Sequence, residues 1–225
     1  MGRASPGAGN AAERIGIVDG NGRSVEPDEG FGNWYARTLA VRQKGGAVYL
    51  IGNGASASMA SHFAADLAKN ARLHTQVFFD AALLTAISND LGFENVFAEP
   101  LRRRAQPGDM LVAISSSGRS SNILRAVAAA RKLSVVVITL SAMLPDNPLR
   151  RSGDLNAYVS AASYSRAETC HAAILHHWMD LVIADGIPAD FQVSQGNQVM
   201  ETWNRPPDHS PGKFAQTPLS GDLIR

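Results

Sequence analysis

The chain has 225 residues, with 21 lysines and arginines against 20 acids and a single cysteine. That near-neutral balance, with no basic block interleaved with aromatics, excludes sequence-reading of nucleic acid and gives no sign of a membrane partner. No apolar stretch approaches the ~20 residues of a bilayer span, the N-terminus lacks the basic-then-apolar order of a secretory signal, and one cysteine, Cys170, cannot form an intrachain disulfide, so a reducing, cytoplasmic setting is expected.

Residues 1–29 contain Gly, Ala, Ser and Pro without a clear period and read as a mobile leader. A helix is predicted over 31–43, a strand over 47–51 and an alanine-rich helix over 55–71. There follow a strand over 75–79, helices over 81–87 and 95–105, and a strand over 110–114. A helix over 120–132, strands over 134–140 and 156–160, and a long helix over 166–184 complete the pattern. Gly186 and Pro188 are the stop signals for that last helix, and residues 187–225 read as an irregular tail. Residues 30–186 therefore read as one α/β domain, large enough to bury a substantial core.

Two of the strand–loop–helix units carry polar loops. In MLVAISSSGRSSNILRAVAAA, starting at Met110, an apolar strand runs into hydroxyls around Gly118 and then into a helix. A helix that begins there aims unpaired N–H groups and the positive end of its dipole into the loop. Ser115, Ser116, Ser117 and Ser120 add donors, while Arg119 is the loop's only fixed charge, which suits a phosphate monoester better than a polyanion. A serine-rich turn that merely caps a helix is the simpler alternative. VYLIGNG, starting at Val48, repeats the arrangement, with Ser56 and Ser58 near the start of the next helix. Ligands of a parallel sheet collect at such strand ends.

Gly52-x-Gly54-x-x-Ala57 also satisfies the dinucleotide fingerprint, with Asp80 in place for a ribose-binding acid. Asp80 lies beyond the usual ~20-residue interval. A nicotinamide or flavin site would also leave the serine loop and the histidines without a role.

The segments GNGASAS, His62, AISNDLGFENVF and ISSSGRSSN, in that order, resemble the sugar isomerase (SIS) fold, and within it the phosphoheptose isomerases. The resemblance spans roughly residues 31–183. It implies a three-layer sandwich with a five-stranded parallel sheet, and a homotetramer with active sites shared between subunits. It implies interconversion of sedoheptulose 7-phosphate and a D-glycero-heptose 7-phosphate. By the same resemblance, Ser56, Ser115, Ser116, Ser117 and Ser120 hold phosphate, while Asn53, Gly54, Ala55, Asn89, Asp90 and Glu168 bind the sugar. An isomerase for another sugar phosphate, and a non-catalytic SIS module that senses a sugar phosphate or docks onto a protein, are the alternatives.

Such an isomerisation moves a proton between adjacent carbons through an enediol, and needs a base, a group serving the oxygens and a stabiliser of negative charge. His62 and Asp66 stand four apart and share a helix face, which by itself is also an ordinary helix pair. Glu168 and His176 stand eight apart, about 80° off around the last helix. Together these four form a ligand set suited to Zn²⁺ or another divalent ion. By resemblance they fall at the metal-ligand and acid–base positions, with Asp66 and His176 as the acid–base pair and Glu168 alongside. His177 projects about 100° beyond His176 and reads as structural, with His171 behind the site and Cys170 a buried small side chain.

The chain departs from the family's pattern at several of these positions. Asp66 stands for a Glu and Glu168 for a Gln. Lys69 stands for an Arg, which loses bidentate geometry, and Ser163 or Tyr164 for an acid. Shortening the base by a methylene moves it by more than ~1 Å, a displacement that matters for proton transfer.

Overall fold

The computed structural model describes residues 15–184. In chain order these are β1 (Ile15–Asp19), β2 (Ser24–Val25), α1 (Pro27–Gln43), β3 (Ala47–Ile51), α2 (Ala55–Ala71), β4 (His74–Gln76) and α3 (Ala81–Leu91). After them come α4 (Ala98–Arg104), β5 (Met110–Ser115), α5 (Ser121–Lys132), β6 (Val136–Ala142), β7 (Leu155–Val159) and α6 (Tyr164–Ala184).

The strands form one seven-stranded sheet in the order β2-β1-β7-β6-β5-β3-β4. The neighbours from β7 through β6, β5 and β3 to β4 pair in parallel, which supplies the five expected strands. Two more correct that count and make the sheet mixed: β1 pairs antiparallel with both β7 and β2. The described part of the expected leader is therefore folded. Its strand is short, carries Gly16 and gains order by pairing with β7 and β2, so a local reading finds little period in it. The expected tail at 187–225, with the stop signals Gly186 and Pro188, lies outside the described residues.

Every residue of β3, β5 and β7 is buried, as are all but the first of β6. Strands covered on both faces read as apolar runs without alternation, hence VYLI and MLVAI. The period of two still divides the core. Val48, Leu50, Val112 and Ile138 pack with α1, α2 and α6, while Tyr49, Ile51, Leu111 and Val137 pack with α4 and α5. This is the expected three-layer α/β sandwich.

On the first face, Trp34 of α1 stacks on Trp178 of α6 with centroids 4.3 Å apart. Thr38, fully buried, donates to the Trp34 carbonyl at 2.9 Å and accepts the Trp178 indole N–H at 3.0 Å. This small polar bridge sets how α1 meets α6. Thr38→Val keeps the shape but strands the indole N–H, and should cost about 1–3 kcal/mol. Urea unfolding should show a lower midpoint at an unchanged slope.

Candidate active site

At the end of β5 the chain turns at Gly118, which has a φ of 62°. An added Cβ there would overlap the Asn147 side chain, so the turn needs glycine twice over. The turn is pinned from below: Ser115 C=O accepts the Gly118 N–H at 2.9 Å, and Ser116 C=O accepts the Ala142 N–H at 3.0 Å. Ser120 is the N-cap of α5 but makes no side-chain cap bond, and its hydroxyl lies 3.3 Å from that of Ser115. The buried Ser116 hydroxyl has no hydrogen-bond partner. Hydroxyls left unspent beside a helix N-terminus are what an incoming anion would use.

Gly54, with φ 56° and ψ −125°, opens α2 in the same way beside this loop. A cavity of about 170 Å³ lies between the two turns. It is lined by Asn53 and Ser56 from the first turn, Ser115, Ser116, Ser117 and Ser120 from the second, and Tyr164 and Glu168 from α6. Arg119 is outside this lining and points to Asp146 at 3.8 Å. The cavity thus offers neutral donors and one carboxylate. Gly54 and Ala55 are exposed at the start of α2.

Asn122 was not among the expected site residues. It is 1 % exposed and exchanges two side-chain hydrogen bonds with Asn53, at 3.0 and 2.9 Å, tying the turns together across 69 positions of sequence. Its only signal was its place as the last residue of ISSSGRSSN.

Two turns further along α2 and α6 is a second cluster. His62 Nε2 lies 3.5 Å from Asp66 Oδ2, and the His62 ring is 6.0 Å from that of His176. Phe63 packs edge-on against both rings, at 5.1 and 4.7 Å. His62 therefore lies beside both Asp66 and His176, whereas Glu168 lines the serine cavity. Eight helical residues separate Glu168 and His176 by about 12 Å of rise, which an angular count alone does not reveal. Among the described residues, no group of three or more His, Cys, Asp or Glu side chains is placed to hold a metal ion. The residues present do not fit the expected Zn²⁺ shell.

Asn89 and Asp90, expected to bind the sugar, are also elsewhere. They hydrogen-bond to each other at 2.8 Å at the exposed end of α3, and neither lines the serine cavity. Asp80, the candidate ribose acid, is the N-cap of α3 and accepts the Leu83 N–H at 2.9 Å. His177, exposed on α6, packs edge-on against Phe31 at 4.5 Å, and Cys170 packs partly buried against the core.

A sheet of this order with hydroxyl-lined turns at two neighbouring strand ends defines a SIS domain, and the SIS domain family model matches residues 36–142. Phosphoheptose isomerase of Campylobacter concisus is 38% identical over 140 residues, covering 60% of this chain and 74% of that protein. The solved phosphoheptose isomerase of Neisseria gonorrhoeae aligns with a TM-score of 0.61 at 32% identity, over 68% of this chain and 86% of that one. The corresponding structure from Francisella tularensis gives 0.64 at 28% identity, over 68% and 84%. The chain belongs to the phosphoheptose isomerase family of SIS-domain proteins. It is an enzyme of the aldose–ketose class, an isomerase of sugar phosphates.

His171 of α6 has no exposed surface, and neither ring nitrogen has a hydrogen-bond partner. Burial pushes its pKa down to about 4, against a weaker upward pull from the Ser141 backbone. The unfolded chain takes up this proton below about pH 6.5, whereas the folded one does so only near pH 4, so stability falls as pH drops through that window. His171→Gln should remove up to about 3 kcal/mol of that loss. Denaturant midpoints of the two proteins, compared from pH 7 to pH 4, check it.

Proposed function

We propose that the chain interconverts sedoheptulose 7-phosphate and D-glycero-heptose 7-phosphate. The observation that carries this reading is that the serine cavity and the His62–Asp66–His176 cluster lie along the same two helices. From Ser56 to His62 is about 9 Å of helix, and from Glu168 to His176 about 12 Å. An extended seven-carbon sugar phosphate has a comparable length. With its ester in the hydroxyl cavity at the start of α5, its carbonyl end would lie beside the imidazoles.

Asp66 would take the proton from C1 of the ketose and return it to C2, leaving an enediol between the two steps. His176 would carry the hydroxyl proton from O1 to O2, so that no net proton is gained or lost. His62 would hold the Asp66 carboxylate in place from the preceding turn. The Glu168 carboxylate would accept hydrogen bonds from sugar hydroxyls above the phosphate. Purified protein should turn over a seven-carbon ketose phosphate in preference to five- and six-carbon ones, and failure to turn over any of them would sink the proposal. Asp66→Asn should lower kcat by about 10²-fold or more with its melting temperature unchanged.

The reading includes a homo-oligomer, a tetramer by family resemblance, with Asn89 and Asp90 serving a neighbouring subunit's cleft. None of the eleven residues of α3 is fully buried: Leu83, Leu84 and Ile87 pack partly against the core, and Leu91 stands clear of it. Leu91 and Phe93 are 48% and 56% exposed. A cavity of about 250 Å³ between α3 and α4 is lined by apolar Leu83, Ala86, Ile87, Leu91 and Pro100 together with charged Asp90, Glu99, Arg103 and Arg104. Exposed apolar side chains rimmed by charges, as Leu91 and Phe93 are, mark an interaction surface. Light scattering after gel filtration should give four chain masses for the native protein and a smaller species for Leu91→Glu/Phe93→Glu.

A further inference from the structure

The reciprocal bonds between Asn53 and Asn122 have a direction, and it is set by the backbone. Asn122 Oδ1 accepts the Ile123 N–H at 2.9 Å. A backbone N–H cannot turn into an acceptor, so the oxygen end of the Asn122 amide has to face it. That oxygen also accepts from Asn53 Nδ2 at 3.0 Å, while Asn122 Nδ2 donates to Asn53 Oδ1 at 2.9 Å. Rotating the Asn53 amide by half a turn would set nitrogen against nitrogen and oxygen against oxygen. Rotating both would set the Asn122 NH₂ against the Ile123 N–H. Neither flip is open.

We infer that Asn122 is a positioning residue that locks the Asn53 side-chain amide in one orientation. Asn53 lines the serine cavity and keeps one N–H and one carbonyl lone pair beyond the pair of bonds to Asn122. A free asparagine offers a sugar hydroxyl either end of its amide. A locked one offers a donor at one fixed place and an acceptor at another, so it selects among hydroxyl arrangements instead of tolerating them all. The pair also joins the turn after β3 to the first turn of α5, so one ligand meets both loops in a preset relation. The specificity of the cleft would thus depend on a buried residue that need not touch the ligand. This inference rests on the cavity holding a sugar phosphate, as proposed above.

The test is a double-mutant cycle with Asn53→Ala, Asn122→Ala and the two combined, in the full chain. The readouts are KM for sedoheptulose 7-phosphate and the melting-temperature protection given by that sugar phosphate and by inorganic phosphate. Each single variant should raise the sugar-phosphate KM about tenfold, the effect of one misplaced hydrogen bond. Inorganic phosphate, which needs only the hydroxyls and the α5 N-terminus, should bind within about twofold of wild type on the same scale. The double variant should be no worse than Asn53→Ala alone, because Asn122 acts through Asn53.

Additive effects would overturn the inference, as would an unchanged KM in Asn122→Ala. So would an equal loss of both ligands, which would make Asn122 a support of the loop alone. Should Asn122→Ala fail to fold, Asn122→Ser takes its place, since its hydroxyl can serve the Ile123 N–H yet is too short to reach Asn53. Absence of turnover in wild type would overturn the catalytic reading by itself, since protection by the sugar phosphate still reads the amide pair. A protein protected by neither ligand would overturn both.

Discussion

The interior strands of this sheet are covered on both faces, and in β3 and β5 that cover confines the hydroxyls of the cleft to the places where the strands end. In the middle of β3 or β5 an uncompensated hydroxyl would face packed apolar side chains, at a cost of about 1–3 kcal/mol. At their carboxyl ends the backbone has to turn into a helix, and the first N–H groups of that helix have no partner within it. Serines gathered there complete an anion site that the turn has already half built. The glycine at each turn follows from the same constraint, because the chain reverses at positive φ at both Gly54 and Gly118.

The two helices that flank the first core face carry the remainder of the chemistry outward. α2 and α6 leave the hydroxyl cavity side by side, and each displays an imidazole further along its length. Thr38 and the stacked tryptophans hold α6 in place, so the distance between cavity and histidines depends on core packing remote from either. His171 shows what that packing costs: it is sealed in the interior with both nitrogens unpartnered. It is therefore kept neutral in the folded chain.

Much of this was legible in the residues. VYLI, MLVAI and the repeated strand–loop–helix units gave the parallel core, the helix over 55–71 was placed to the residue, and ISSSGRSSN marked the anion loop. β1 escapes a local reading because it is stabilised by its partners β2 and β7 and not by its own period. The expected four-ligand shell rests on resemblance and on angle around the helices, and angle alone leaves out the rise that sets Glu168 about 12 Å along α6 from His176. Asn89 and Asp90 were placed by resemblance, and a single chain keeps them apart from the cleft.

Order along the chain determined the layers, the turns and the residue types at each strand end, since hydrophobic period, glycine and helix start are local matters. Only the folded chain decided which of those side chains share a cavity, that Asn122 faces Asn53, and that His62 meets His176. The physical reason is distance: residues 69 or more positions apart are brought together by packing, and no local pattern encodes the direction of a side chain across that gap.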